Sequence, residues 1–127
     1  MKNISSRLIL IIFSTLLILI GCNQNPNSSK SDQKHKVTFI ELGSVRCIPC
    51  KMMQPVMKSV EEKYGSQVRV VFYDVWTEAG APYGQKYGIS AIPTQVFLDK
   101  EGNEYFRHEG FFPEEELIRV LKQKGVK

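Results

Sequence analysis

Cysteine is scarce in this sequence, with only three among 127 residues: Cys22, Cys47 and Cys50. Small exported domains that depend on disulfides for stability carry several pairs spread along the chain, and no such set is present here. A bridge between Cys47 and Cys50 would close too short a loop to add much stability through chain entropy. The pair is therefore predicted to serve chemistry.

A hydrophobic run long enough to cross a membrane is also missing. The longest apolar stretch, residues 8–20, is 13 residues long and contains Ser14 and Thr15, whereas a spanning helix needs about 20 residues. It follows Lys2 and Arg7 and precedes a small residue. This order is typical of a secretory signal peptide, and a short retained anchor is the alternative.

The end of the apolar stretch, Leu19-Ile20-Gly21-Cys22, resembles the lipobox of bacterial lipoproteins. The resemblance implies that residues 1–21 are a lipoprotein signal peptide and that the Cys22 thiol is lipidated and becomes the mature N-terminus. Acyl chains on Cys22 would hold the protein on a membrane surface. We therefore expect an extracytoplasmic protein, lipid-anchored to the bacterial cell membrane on its periplasmic or cell-surface side.

An excess of charge is missing as well. Without Lys2 and Arg7, 15 basic residues face 13 acidic ones, a net charge of +2. No basic surface for nucleic acid is predicted from this balance. Residues 23–34 contain no apolar side chain, so residues 22–35 are predicted to be a flexible tether. Residues 36–127 remain as one domain, which we expect to be a monomer.

The pattern of apolar residues predicts seven elements in the order β-α-β-α-β-β-α. Residues 37–42 and 68–75 are nearly continuous apolar runs, which indicates strands buried on both faces. The helix between them predicts a parallel βαβ unit. A short helix within residues 78–87, a hairpin of residues 94–99 and 104–110, and a helix after Pro113 complete an α/β sandwich with a four-stranded mixed sheet.

Cys47 falls where the first strand gives way to the first helix. Unpaired backbone N–H groups at a helix start stabilise a thiolate, and Arg46 adds positive charge. Cys50 lies one turn further in and is predicted to be more shielded. A reactive outer thiol and a protected inner thiol are what disulfide exchange requires.

Other uses of the cysteine pair fit less well. Haem attachment needs histidine after the second cysteine, and that residue is Lys51. Structural zinc needs four ligands, and His35 and His108 do not offer ligand spacing; we expect a solvated and a cross-strand histidine, respectively. No metal site is predicted. An inert buried pair stays open as an alternative.

The chain resembles thioredoxin-fold proteins. Cys47-Ile48-Pro49-Cys50 is similar to the Cys-Gly-Pro-Cys of thioredoxin, and Pro55 stands where a proline kinks the active-site helix. Ile92-Pro93-Thr94 resembles the cis-proline loop, and Gly110 the glycine before the last helix. The resemblance implies a thioredoxin-like three-layer sandwich in a minimal form, because the family's first strand and helix have no counterpart.

The resemblance also implies roles for individual residues. Cys47 would be the nucleophile and Cys50 the resolving thiol, with no cofactor beyond their redox-active disulfide. Pro93 would form the substrate loop, and the residues expected to contact substrate are Arg46, Ile48, Pro49, Ile92 and Thr94. Arg46 and Gly43 stand where the family has aromatic residues, and the segment after Asp74 is longer; Trp76 is predicted either to fill part of that space or to anchor a loop.

Glu41 interrupts an apolar strand six residues before Cys47, where thioredoxins carry a buried aspartate. Alternation places Val37, Phe39 and Glu41 on one face of the strand. A buried carboxyl tends to stay protonated, so Glu41 is a candidate proton acceptor for Cys50. A solvated strand end is the alternative.

The combined expectation is a membrane-tethered thiol–disulfide oxidoreductase. Because Ile48-Pro49 lacks the histidine common in oxidising members, the family resemblance implies a reductant of disulfides in exported proteins. By analogy, electrons would come from a membrane thiol transporter of the cytochrome-c-biogenesis type, and apocytochrome c would be one substrate. A disulfide oxidant or isomerase on the same site, and a binding module that handles metal or haem, are the alternatives.

Overall fold

The computed structural model describes residues 35–127. Cys22, the signal peptide predicted for residues 1–21 and most of the predicted tether lie outside these residues. The described chain contains four strands, β1 (Val37–Gly43), β2 (Val68–Asp74), β3 (Thr94–Asp99) and β4 (Glu104–Glu109). Its three helices are α1 (Ile48–Tyr64), α2 (Ala81–Lys86) and α3 (Glu114–Lys122). The predicted order of elements is confirmed.

The strands form one mixed sheet in the order β2-β1-β3-β4. β1 pairs in parallel with β2 and antiparallel with β3, and β3 pairs antiparallel with β4. The parallel pair comes from the predicted βαβ unit, since α1 carries the chain back between β1 and β2. The sheet therefore places the carboxyl end of β1 directly before the start of α1.

The main hydrophobic core lies on the face of the sheet that α1 and α3 cover. Its buried members are Val37, Phe39, Met53, Val56, Met57, Val60, Val68, Phe97, Phe112, Leu117, Val120, Leu121 and Val126. The helix residues among them recur at intervals of three and four, as expected for one apolar face. This core fixes α1, and with it both cysteines, against β1.

The opposite face of the sheet is covered more thinly. It holds a small cluster of Ile40, Leu42 and Val96, and a tyrosine of α2, Tyr83, stacks on Tyr73 with ring centroids 3.6 Å apart. A hollow of about 390 Å³ remains open on this face. The helix α2 has only six residues, and only its carboxyl end, at Lys86 and Tyr87, lines the hollow.

The prediction that β2 is buried on both faces is wrong. Val68 alone is fully buried, and most of the remaining residues are half-buried. β2 is an edge strand of the sheet, and the hollow lies beside it. His35 also differs from expectation, because it is half-buried with its Nε2 atom 3.2 Å from the Gly65 carbonyl oxygen.

Candidate redox site

Cys47 is the N-cap residue of α1. Its backbone is extended, with φ −89° and ψ 129°, and its N–H donates to the Ser44 carbonyl at 3.1 Å. Pro49 occupies the first turn of the helix, where a missing N–H leaves no hydrogen bond unmade. The sequence thus ends β1 in a tight turn and starts the helix on the first cysteine.

Cys47 and Cys50 form a disulfide, with their Cα atoms 5.2 Å apart. The two residues differ in accessibility: Cys47 is 8% exposed, whereas Cys50 is 0% exposed. An attacking thiolate from solvent can reach only the outer sulfur. Cys50 is therefore the more shielded of the two cysteines, as predicted from its place one turn into the helix.

The Cys47 sulfur lies in an electropositive position. The Cys50 backbone N–H donates to Cys47 Sγ at 3.4 Å, so the sulfur takes one of the N–H groups that a helix start leaves unpaired. The positive end of the helix dipole points at the same atom. Once the disulfide is reduced, both effects favour the thiolate of Cys47.

Glu41 lies behind the disulfide and is 0% exposed. Burial raises the pKa of the Glu41 carboxyl to about 8, although the nearby side-chain amide of Gln95 opposes the shift. That amide makes no hydrogen bond of good geometry with the carboxyl, because neither carboxyl oxygen has a partner among residues 35–127. Glu41 is thus a buried carboxyl that holds its proton near neutral pH.

Gly43 keeps the space between Glu41 and Cys50 open. A Cβ atom on Gly43 would lie 3.1 Å from Cys50 Sγ and 3.6 Å from Glu41 Oε1. Only the volume of a missing side chain therefore separates the carboxyl from the inner sulfur. The sequence marked Gly43 as a departure from the family but did not reveal this consequence.

The loop before β3 lies beside the carboxyl end of β1, because Thr94 pairs with Leu42. The Ile92–Pro93 peptide bond is cis, as the resemblance implied, and the Pro93 carbonyl accepts from the Gly110 N–H at 2.8 Å. Thr94 was expected to contact substrate, but its side chain is 0% exposed and its hydroxyl donates to the Ala91 carbonyl at 2.7 Å. The hydroxyl therefore closes the loop, and a substrate contact by Thr94 stays a prediction.

Asp74 joins two loops at the site and was not predicted from the sequence. Its carboxylate accepts from the Val45 N–H at 3.3 Å and from the Trp76 N–H at 3.1 Å. Partial desolvation raises the pKa of Asp74, but these hydrogen bonds, with the help of Ser44 and Arg46, leave that pKa below its usual value. The Arg46 guanidinium lies over the Trp76 ring, 5.6 Å from its centroid. The Trp76 indole thus packs against the residue that precedes Cys47.

Exposed apolar side chains, termed the apolar rim, lie on the segments next to the disulfide. The exposed large hydrophobic residues belong to three segments that adjoin the site: Val45, Ile48, Met52, Trp76 and Phe111. Ile48 was predicted as a contact, and it is 75% exposed; Pro49 and Arg46 are exposed too, and Ile92 is half-buried. Trp76 was singled out from the sequence, whereas Val45, Met52 and Phe111 were missed, although their apolar side chains fall outside the periodic pattern of the elements.

The described residues meet neither the requirements of a metal site nor those of a membrane-spanning helix. Within residues 35–127, no three His, Cys, Asp or Glu side chains are grouped so that they could hold a metal ion. In the same part of the chain, no helix has the length and hydrophobicity needed to span a membrane.

Disulfide exchange needs one sulfur that a thiolate can reach and a second sulfur, held beside it, that can displace the partner. Cys47 and Cys50 meet both conditions at the start of a helix on this sheet. Fold and site together define a thiol–disulfide oxidoreductase.

Known proteins agree with this class. A family model described as a thioredoxin-like domain matches residues 23–125. The thioredoxin of Bacillus subtilis (strain 168) is 30% identical over 96 residues, which cover 76% of this chain and 89% of that protein. The chloroplastic thioredoxin Y of rice is 31% identical over 91 residues; these cover 72% of this chain but only 52% of that protein, so the chain spans about half of its length.

A solved structure is similar as well. The exposed lipoprotein thioredoxin of Streptococcus pneumoniae strain TIGR4 superimposes with a TM-score of 0.63 at 22% identity, over 73% of this chain and 88% of that chain. The chain belongs to the thioredoxin-like domain family.

Proposed function

We propose that the protein is an exported, membrane-tethered reductant of disulfides in extracytoplasmic proteins. The observation that carries this proposal is the asymmetry of the cysteine pair, with the Cys47 sulfur at a helix start and Cys50 fully buried. The residues between them, Ile48 and Pro49, include no histidine that would stabilise the thiolate further. A thiolate stabilised only moderately is typical of reducing members of such families.

The reaction proceeds in two steps. The Cys47 thiolate attacks one sulfur of a substrate disulfide, forming a mixed disulfide and releasing the other substrate sulfur as a thiolate that takes a proton from water. Cys50 then gives its proton to the ionised carboxylate of Glu41 and attacks Cys47 Sγ. The Cys47–Cys50 disulfide forms, and the second substrate sulfur leaves reduced.

The site offers a surface for an extended polypeptide. Pro93 has no N–H of its own, and the backbone beside it can pair with a substrate segment in the manner of an added strand. The exposed residues of the apolar rim, with Arg46, Ile48 and Pro49 next to the outer sulfur in the chain and Ile92 in the cis-proline loop, are the proposed contacts for this segment. A substrate segment with apolar residues next to its cystine would fit this surface best.

The membrane tether rests on Cys22, which lies outside the described residues, and on the lipobox that precedes it. One structure neighbour is itself an exposed lipoprotein thioredoxin, so the fold is compatible with such an anchor. An exported reductant needs a source of electrons. A membrane thiol transporter of the cytochrome-c-biogenesis type is the proposed donor, and apocytochrome c is a proposed substrate.

The equilibrium of the Cys47–Cys50 pair against glutathione tests the direction of electron flow. A reductant should have a potential near that of thioredoxin, about −270 mV, whereas an oxidant would lie nearer −120 mV. A potential at the oxidising end would contradict the proposal and favour an oxidant or isomerase. Titration of the two thiols with and without added metal or haem distinguishes the third alternative, a binding module, because protection of both thiols would favour it.

A further inference from the structure

The Glu41 carboxyl has only one polar side chain beside it that is not already used. Among residues 35–127, the buried polar or charged side chains are Glu41, Ser44, Thr94 and Gln95. The Thr94 hydroxyl donates to the Ala91 carbonyl, and the Ser44 hydroxyl accepts from the Arg46 N–H and donates to the Asp74 carboxylate. Gln95 remains, directly opposite Glu41 in the β1–β3 pair.

The Gln95 side chain can pair with Glu41 in either protonation state. Its Nε2 atom donates one hydrogen to the Gly110 carbonyl at 3.1 Å and carries a second hydrogen. Its Oε1 atom is buried without a partner in the described part of the chain. A carboxylate at Glu41 can accept the second N–H, and a carboxylic acid at Glu41 can donate its O–H to Oε1.

Gly110 extends this contact to the substrate loop. Its carbonyl accepts from Gln95, and its own N–H donates to the Pro93 carbonyl at 2.8 Å. Gly110 has φ 91°, a conformation that suits glycine and that other residues rarely adopt. The hydrogen bonds therefore run without interruption from the Gln95 amide to the cis-proline loop.

We propose that Gln95 is a positioning residue for the proton-transfer step, and that its side-chain amide couples the protonation state of Glu41 to the contact between Gly110 and Pro93. This inference rests on the proposed role of Glu41 as proton acceptor for Cys50. When Glu41 takes the proton, the amide loses its charged acceptor and pairs through Oε1 with the new O–H. The change at the carboxyl is thereby passed to the loop that holds the substrate.

Few other titratable groups face Glu41. From α1, the thiol of reduced Cys50 lies beyond the space at Gly43. β2 places Phe72 opposite Glu41, and β4 places His108 opposite Gln95, one strand further away. The His108 Nε2 atom lies 3.2 Å from the Phe111 carbonyl oxygen. Working with the disulfide intact removes the thiols from the titration, and the ring signals of His108 report that side chain separately from Glu41.

The test is an NMR titration of the oxidised protein, with the Glu41 carboxyl carbon and the Gln95 and Gly110 nitrogens as probes. In the native chain, both nitrogens should shift with the midpoint of Glu41. Gln95→Met keeps the length of the side chain without the amide. It should raise the pKa of Glu41 by about one unit, because the variant loses a stronger hydrogen bond to the charged carboxylate and a weaker one to the neutral acid, and Gly110 should stop responding.

Phe72→Leu is the matched control, because it alters the other neighbour of Glu41 without removing a polar group. It should leave the Gly110 response in place and should not raise the pKa. A Gly110 response that persists in Gln95→Met, or an unchanged Glu41 midpoint, would overturn the proposal. If Gln95→Met does not fold, the titration of the native chain tests the proposal alone. A Gln95 Nε2 signal that does not shift with the midpoint of Glu41 would overturn it.

The kinetic counterpart separates this inference from the function on which it rests. Gln95→Met should raise the pH midpoint of the resolving step by about one pH unit, as it raises the pKa of Glu41. A structural defect alone would instead lower the rate of that step at every pH. An unmoved midpoint would overturn the role in proton transfer. If Glu41→Gln leaves the resolving rate unchanged while the titration behaves as expected, then the proposed role of Glu41 fails and the hydrogen-bond coupling stands.

Discussion

Replacement of Glu41 by glutamine should make the oxidised protein more stable at neutral and alkaline pH. The carboxyl has a pKa of about 8 in the folded chain, against an ordinary value of 4.5. Its raised pKa means that the stability it contributes is fully present below pH 4.5 and is lost as pH rises through 8. Glutamine keeps the shape of the side chain and has no proton to lose, so the variant should lack this dependence.

The size of the effect follows from the two pKa values. A shift from 4.5 to about 8 implies a loss of about 4 kcal/mol between pH 5 and pH 9, with about 3 kcal/mol already lost at pH 7. The pH-dependent difference between the two proteins is the more informative quantity, because glutamine also places a new amide in the core, at a cost that does not vary with pH.

Urea unfolding of both oxidised proteins at several pH values measures this difference directly. Glu109→Gln, the same change on the exposed side of β4, serves as the control and should follow the native chain. If the native chain and Glu41→Gln lose stability in parallel between pH 5 and pH 9, Glu41 titrates as a solvated side chain and the reasoning fails.

The same variant has a kinetic consequence. With a pKa of about 8, only about a tenth of the Glu41 carboxyl groups are ionised at pH 7 and can accept a proton. General-base catalysis by that fraction is still typically worth about 10²-fold or more in rate. Glu41→Gln should therefore leave the first attack by Cys47 nearly unchanged and slow the resolving step; spontaneous ionisation of Cys50 would reduce the loss. Stopped-flow mixing of reduced protein with a disulfide substrate resolves the two steps, and an unchanged second step would contradict the role of Glu41 as proton acceptor.

Four other substitutions test three separate parts of the account. Cys50→Ser should trap a mixed disulfide with substrate, whereas Cys47→Ser should trap little, as seen on non-reducing gels; equal trapping would refute the order of attack. Cys22→Ser should move the protein from the membrane fraction to the soluble one without changing its unfolding midpoint, and a variant that stays with the membrane would favour a retained anchor. Gly43→Ala should slow the resolving step about tenfold or more, because the methyl group occupies the space between Cys50 Sγ and the proton acceptor; an unaffected rate would mean that the proton leaves by another route.

Much of the fold could be predicted because it depends on local patterns. Apolar periodicity gave the order of the elements, and Glu41 attracted attention because a charged residue interrupts an apolar strand. The burial of β2 could not be predicted in this way, since an apolar strand looks the same at the centre and at the edge of a sheet. Strand order and the short span of α2 decide how much of it is covered.

The site residues that were missed share a different cause. Gln95 matters because it lies opposite Glu41, and Gly43 matters because its absent side chain would fall between two reactive groups. The first property depends on the register of two strands that are distant in sequence, and the second on how closely the first helix packs against the end of β1. Asp74 was missed for the same reason, because it binds backbone N–H groups of two loops that only the folded chain brings together.

The position of Cys47 at the start of α1 has a consequence for the mechanics of turnover. The sulfur that attacks the substrate is the same atom that accepts the Cys50 N–H and so caps the helix. An oxygen cap is worth about 1 kcal/mol, and sulfur is a weaker acceptor, so a sulfur that is drawn toward a substrate should give up a fraction of that stabilisation. We therefore expect the first turn of the helix to be held less firmly in the mixed disulfide than in the free protein. Serine at this position would keep a cap and alanine would not, so the two inactive variants should differ in how firmly the helix begins.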